Sequence, residues 1–85
     1  MKKRYVFLEL KIQCGEYQFY SQSLHILPKG KQLNAFVKSY CRDFYGNFAW
    51  EDNGNYFFNG GEVAVKENVS TLITETEYNV LQKFV

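Results

Sequence analysis

Two cysteines and one histidine are the side chains of this chain best suited to nucleophilic or acid–base chemistry, but their spacing does not indicate catalysis. Cys14 precedes Gly15 at a predicted hairpin tip, where its thiol would be exposed. A nucleophilic cysteine needs a neighbouring base that lowers its pKa. The only histidine, His25, lies eleven residues further along, and no motif connects the two. His25 has no identifiable partner or pocket for general-base work, so we expect a structural histidine and no enzyme activity.

The acidic residues are predicted to serve turns and a helix end. Glu51 and Asp52 are adjacent in a predicted strand, so their side chains point to opposite faces and do not converge. Glu75 and Glu77 suit the first turn of a helix. Residues 52–55 have too few alternating oxygen ligands for a calcium loop. The sequence therefore predicts neither a metal site nor a cofactor.

Size and composition indicate one small aromatic-rich domain spanning residues 1–85. A chain of 85 residues buries enough surface for a single modest core. Aromatic residues make up 19%; they suit a small core, and Tyr and Trp are also enriched at interfaces. Residues 1–46 carry eight Lys or Arg against three acids, and residues 47–85 carry two against six. This uneven charge is compatible with an ordinary mixed surface or with a charged partner.

The cysteine pattern and the N-terminal residues favour a cytoplasmic protein with no membrane segment. Cys14 and Cys41 form no C-x-x-C pair, so two thiols are expected, with one disulfide as the alternative if folding brings them together. The basic residues 2–4 resemble the start of a signal peptide, but Glu9 and Lys11 interrupt the apolar run that follows. No uninterrupted apolar stretch approaches the length of a transmembrane helix.

Residues 4–27 have the alternating pattern of a β-hairpin. Every second residue from Val6 to Ile12 is aliphatic, which predicts a strand from Arg4 to Cys14 with one buried face. Gly15 suits the turn. A second strand is predicted from Glu16 to about Leu27. Its apolar parity changes midway, which predicts a bulge or bend at residues 21–23.

A helix is predicted from about Lys31 to Tyr45. Its apolar residues follow the spacing of one helix face. They are Leu33, Phe36, Val37, Tyr40, Cys41, Phe44 and Tyr45. Gly46 is expected to end the helix.

Three short antiparallel strands are predicted next, at residues 48–52, 55–58 and 62–67. Asn53-Gly54 between two alternating segments is a strong hairpin signal. Residues 59–61, Asn-Gly-Gly, predict a second turn. The two glycines lack the spacing of a phosphate-binding loop.

A second helix is predicted to begin at Thr74. Thr74 and Glu77 have the spacing of a capping box, and Ile73 and Tyr78 have that of a hydrophobic staple. The order ββ-α-βββ-α predicts an α+β domain in which an antiparallel sheet carries two helices packed on one face.

Without a catalytic set, the sequence favours a non-enzymatic protein-binding module. We expect an inhibitor or adaptor of the kind that mobile elements use against a host protein, such as a nucleic-acid-handling complex. An uncovered aromatic sheet face would bind the partner or a second copy of the chain, and acidic residues would engage a basic partner. The candidate partner-binding residues are Tyr5, Phe7, Tyr20, Trp50, Tyr56, Glu51, Asp52 and Glu62.

Single-stranded nucleic-acid binding is the alternative. Lysine and arginine side chains near one end of the sheet would contact phosphates, and sheet aromatics would stack on bases. The near-neutral net charge of +1 argues against a strong phosphate-binding surface. The candidate basic residues are Lys2, Lys3, Arg4, Lys11, Lys29 and Lys31.

Overall fold

The computed structural model of this chain describes residues 3–85 and places five antiparallel strands in one sheet with two helices. The elements are β1 (Arg4–Cys14), β2 (Tyr17–Leu27), α1 (Leu33–Arg42), β3 (Phe48–Asp52), β4 (Asn55–Phe58), a 3-10 turn (Asn59–Gly61), β5 (Val63–Ile73) and α2 (Glu75–Leu81). The strand order across the sheet is β2-β1-β5-β4-β3. The predicted α+β class and element order are confirmed.

One face of the sheet is buried under α1, and we call it the α1 face. The aliphatic side chains of β1 from Val6 to Ile12 are almost completely buried there, as their alternation predicted. Val65 of β5 and Phe58 of β4 are also inaccessible to solvent. The helix contributes Val37 and Cys41 to this core, and its other apolar residues pack around them half-buried. The hydrophobic core therefore lies between α1 and the sheet.

The second helix contacts the opposite face, which we call the α2 face, so the prediction that both helices share one face is wrong. The ring centroids of Tyr78 in α2 and Tyr5 in β1 lie 4.6 Å apart. Tyr5 points away from its buried neighbour Val6, because adjacent strand residues alternate between faces. Ile73, the last residue of β5, pairs with Tyr5 and shares its face. An amphipathic pattern identifies the apolar side of a helix but not the sheet face that receives it.

The pairing of β2 with β1 shows no register shift, so of the predicted bulge or bend at residues 21–23 the bulge is absent. Tyr17 and Phe19 lie on the α1 face, whereas Leu24 and Ile26 lie on the α2 face. The apolar parity changes because Ile26 pairs with Tyr5, at the end of the sheet where α2 packs.

The fifth strand extends to Ile73, well beyond the predicted end at Glu67. Its register with β1 shifts between Glu9 and Leu10, opposite Asn68, which is the extra residue of a bulge. The bulge reverses the alternation, which hid the second half of the strand in the sequence pattern. The Asn68 amide donates a hydrogen bond to the Glu9 carboxylate at this point.

The first helix is shorter at both ends than the predicted range from Lys31 to Tyr45. The Lys31 N–H bonds to the carbonyl of Pro28 in a turn before the helix, and the Phe44 N–H bonds to the carbonyl of Cys41 in a tighter turn after it. Gly46 does not end the helix, which stops before Asp43.

The hairpin turn and the second helix cap are confirmed. Asn53 and Gly54 both have positive φ, 51° and 84°, as the tight hairpin turn requires. Glu77 N–H donates to the Thr74 hydroxyl at 3.1 Å, and Thr74 N–H donates to the Glu77 carboxylate at 2.9 Å. This reciprocal pair fixes the start of α2.

Candidate functional site

The part of the α2 face beyond α2 carries a strip of aromatic and lysine side chains, which we call the cross-sheet strip. Strand pairing places Tyr20 opposite Lys11, Lys11 opposite Lys66, and Trp50 opposite Phe57. Directly paired residues share a face, so these side chains lie on one side of the sheet. The strip therefore draws one residue from each of the five strands.

An aromatic pair forms one end of the strip. The rings of Trp50 and Phe57 are stacked, with centroids 4.9 Å apart and planes inclined by 21°. Trp50 also lies over Gly61, where an added Cβ would be 3.0 Å from the indole ring. The indole is thus held against the sheet while 47% of the residue remains exposed. This geometry provides a flat apolar platform on the surface.

Two lysines occupy the middle of the strip. Lys11 and Lys66 are directly opposite each other on β1 and β5. Like charges in this position repel and destabilise a sheet. Asp52 is in the same row but two strands away from Lys66, with Asn55 between them. An anionic group bound between the two ammonium groups would relieve the repulsion.

Tyr20 forms the other end of the strip, on the edge strand β2, and is 52% exposed. Four strand spacings and a shift of two residues along the strands separate it from Trp50, a distance of about 20 Å. The strip is therefore long enough to contact an extended segment of a partner running across the strands.

The structure brings only some of the predicted partner-binding residues together. Tyr20 and Trp50 both belong to the strip. Tyr5 and Phe7 share its face but are half-buried, and the ring of Tyr78 packs against Tyr5. Tyr56 lies on the α1 face and is only 9% exposed. The predicted aromatic surface is therefore divided between the two faces.

The predicted acidic residues do not form one surface. Glu51 is on the α1 face opposite Tyr56, and Asp52 is on the other face. The Glu51 carboxylate accepts a hydrogen bond from Gly54 N–H at 2.8 Å, so it caps the hairpin turn. Glu62 lies before β5, next to the β1–β2 turn, where its carbonyl accepts from Gly15 N–H.

The predicted basic residues divide into two groups. Lys3, Arg4, Lys29 and Lys31 lie near one corner of the sheet, where the Arg4 guanidinium donates to the carbonyls of Pro28 and Lys31 at 3.2 and 3.0 Å. Those bonds anchor the loop before α1. Lys11 is seven residues along β1 from Arg4, about 23 Å away. Lys2 lies outside the described residues.

Two members of the strip, Phe57 and Lys66, were missed in the sequence. A two-residue turn at 53–54 fixes the hairpin register, so Trp50 must pair with Phe57 rather than share a face with Tyr56. That signal was present in the sequence. The position of Lys66 opposite Lys11 depends on the long-range pairing of β5 with β1, for which no local signal exists.

An open groove of about 1100 Å³ lies between α1 and the β3–β4 hairpin. Tyr56 and Phe48 contribute apolar surface, and Lys38 and Arg42 line the groove on the helix side. The Arg42 guanidinium lies 5.4 Å from the centroid of the Phe48 ring, so it is engaged in a cation–π contact. Asp43 and Glu51 add two acids to the lining and offset the two cations. The groove therefore has no preference for one sign of charge.

The two residues considered for nucleophilic chemistry, Cys14 and His25, lie far apart in the structure. Cys14 and His25 are at opposite ends of the β1–β2 hairpin, about 26 Å apart along the strands. Both cysteines are free thiols, Cys14 exposed and Cys41 buried. Burial and the nearby Glu67 carboxylate raise the pKa of Cys41 to about 11, which keeps its thiol protonated and unreactive.

His25 has a packing role beside α1. Its ring centroid lies 4.6 Å from that of Tyr40 and 5.4 Å from that of Phe36, in edge-to-face contacts. Its Nε2 forms a 2.7 Å hydrogen bond with the Ser23 hydroxyl. Burial lowers the pKa of His25. These contacts agree with the structural role expected for His25 from the sequence.

Within residues 3–85, no three His, Cys, Asp or Glu side chains are grouped to hold a metal ion. Neither of the two helices in that range has the length and apolar character needed to cross a membrane. Comparisons of the chain with protein-family models, curated proteins and solved structures found no match.

Proposed function

We propose that this protein is a small non-enzymatic binding module that attaches to another protein through the cross-sheet strip and acts as a cytoplasmic inhibitor or adaptor. The observation that carries the proposal is the exposure of Trp50 and Tyr20 on the part of the sheet face that α2 leaves uncovered. Exposed aromatic side chains held by a rigid sheet are typical anchors of protein interfaces. Free thiols suit the reducing cytoplasm.

The aromatic and lysine side chains of the strip indicate the kind of partner surface that would fit it. Trp50 and Phe57 offer an apolar platform, and Lys11 and Lys66 offer two positive charges beside it. A complementary surface has an apolar side chain to cover the indole and a carboxylate to lie between the lysines. We therefore propose a host protein with an acidic, partly apolar surface, such as a nucleic-acid-handling complex whose binding site the module would block.

The test is capture of the partner from a lysate of the source cells by tagged wild-type and variant protein, with and without nuclease. Trp50→Thr and Tyr20→Thr remove the two ends of the strip but keep a residue that favours strands. Both are expected to lose a stoichiometric, nuclease-resistant partner. Phe84→Ser, which removes an even more exposed aromatic outside the strip, should retain it. Equal capture by all variants would contradict the proposal.

Single-stranded nucleic acid is the second candidate ligand, favoured by the placement of two lysines between aromatic ends. Trp50 is the only tryptophan, so intrinsic fluorescence reports directly on the strip. Titration with an oligothymidylate probe should quench this fluorescence if bases stack on the indole. The binding constant should then fall steeply with salt, with a smaller slope in Lys11→Gln and Lys66→Gln. Unchanged fluorescence would leave protein binding as the function of the strip.

A further inference from the structure

The edge strand β2 lacks the features with which proteins usually prevent an exposed edge from pairing. It is 11 residues long, Tyr17–Leu27, and contains no Asp, Glu, Lys, Arg or Pro. Its pairing with β1 is regular throughout. The other edge strand, β3, has five residues, two of them acidic, and an irregular register. Short length, charge and irregularity protect an edge, so β3 is protected and β2 is not.

The free backbone groups of β2 can be assigned to alternate residues. Gly15 N–H bonds to the carbonyl of Glu62, on the β5 side of β1, so the backbone groups of Cys14 face β2. Cys14 and Tyr17 close a two-residue turn and form a hydrogen-bonded pair. Bonded and non-bonded pairs alternate in an antiparallel ladder. The N–H and C=O groups that point outward therefore belong to residues 18, 20, 22, 24 and 26.

The apolar side chains of β2 are complementary to those of a second copy running antiparallel. On the α1 face, Tyr17 and Phe19 are 78% and 46% exposed, whereas His25 at the other end packs against Tyr40 of α1. Antiparallel pairing about Gln22 places Phe19 of one copy opposite His25 of the other, beside the flank of α1. The exposed end of each strand then meets the helix-covered end of its counterpart.

The same register also pairs apolar side chains on the α2 face. It places Tyr20 of one copy opposite Leu24 of the other, and Gln18 opposite Ile26. All of these residues have outward backbone groups, so each pair exchanges two hydrogen bonds. Because β2 carries no charged side chain, the two-fold arrangement brings no like charges together.

We propose that β2 pairs antiparallel with β2 of a second copy, in a register centred on Gln22, and forms a two-fold dimer with one continuous sheet. Closed two-fold pairing uses the same patch on both chains. The pairing gives hydrogen-bond partners to the outward backbone groups of both β2 strands. The edges of the combined sheet are then the two protected β3 strands.

The test combines sedimentation equilibrium with residue-resolved amide hydrogen exchange. The wild-type protein should be dimeric, and the amides of residues 18, 20, 22, 24 and 26 should become protected as concentration rises. Gln22→Pro removes the outward N–H on the two-fold axis, a change that an edge strand tolerates. It is expected to weaken dimerisation by about tenfold or more, because both central hydrogen bonds are lost.

The matched control is Gln22→Thr, which loses the same side chain and its hydrogen bond to Glu9 but keeps the backbone N–H; it should dimerise like the wild type. If Gln22→Pro folds poorly, Phe19→Lys provides a second variant at an exposed position and should also weaken dimerisation. A monomeric wild-type protein, including one whose β2 pairs only with a different protein, would overturn the proposal. So would a dimer whose outward β2 amides exchange freely.

Discussion

The Tyr78 ring of α2 packs against the Tyr5 ring of β1, with centroids 4.6 Å apart and planes inclined by 39°. This contact joins the C-terminal helix to a central strand of the sheet. The helix has seven residues and none of them is fully buried. A helix this short is not stable alone in water, so its position depends on a few contacts of this kind.

We therefore expect Tyr78→Ala to release α2 from the sheet. The amides of residues 75–81 should exchange faster with solvent, and the free energy of unfolding should fall by about 1–2 kcal/mol. The double variant with Tyr5→Ala should show a coupling energy of about 0.5–1.5 kcal/mol. Val80→Ala removes a half-exposed side chain from the same helix and should change stability little. Independent effects of the two tyrosine substitutions would contradict a direct contact.

The capping box of α2 gives a second prediction. Thr74→Ala removes the hydroxyl that accepts from Glu77 N–H, and it should lower the free energy of unfolding by about 1 kcal/mol. Thr76→Ala is the matched control, because it makes the same substitution inside the helix, where alanine is favoured. Urea unfolding of both variants measures the difference. A loss in Thr76→Ala as large as that in Thr74→Ala would mean that the cap is not responsible.

Features that depend on residues close together in the chain were predictable from the sequence, whereas features that depend on distant residues were not. The hairpin turn at Asn53-Gly54 and the cap at Thr74 depend on residues within a few positions of each other, and both were predicted correctly. The end of β5 was wrong because the bulge at Asn68 is set against Glu9, far away in the chain. The prediction of the sheet face on which α2 packs was also wrong, because the contact of Tyr78 with Tyr5 joins residues far apart in the chain.

The candidate site was predicted only in part, and one of its two missing members, Lys66, shows the same limit. Tyr20 and Trp50 were predicted as surface aromatics from the local alternation of the residues around them. Phe57 followed from the hairpin register and was overlooked in favour of Tyr56. Lys66 reaches Lys11 only through the pairing of the first and last strands, which no local pattern specifies.

A pH dependence is expected from His25. Burial against α1 lowers the pKa of its ring below the ordinary value of 6.5, so the unfolded state binds the proton more tightly than the folded state. The contribution is therefore fully stabilising above pH 6.5 and is lost as the pH falls from 6.5 through the lower pKa of the folded state. Urea unfolding between pH 7.5 and pH 5 should show decreasing stability.

His25→Phe is the control for this titration, because it keeps an aromatic ring beside Phe36 and Tyr40. Its stability should be nearly independent of pH over the same range. Hydrogen bonds lower the pKa values of Glu9 and Glu77, so those carboxylates affect stability only at or below about pH 4.5. A wild-type protein equally stable at pH 5 and pH 7.5 would contradict the buried position of His25.

Two glycines of different backbone geometry provide the last prediction. Gly54 has a φ of 84° in the β3–β4 turn, whereas Gly46 lies outside the left-handed region, and an added Cβ would meet nothing within 4 Å at either position. Gly54→Ala should therefore lower the free energy of unfolding by about 1–2 kcal/mol through backbone strain alone. Gly46→Ala should be neutral or raise it by about 0.4–1 kcal/mol, because alanine restricts the unfolded chain. Thermal unfolding of the two variants compares them directly, and equal effects would show that the turn does not adopt the left-handed conformation.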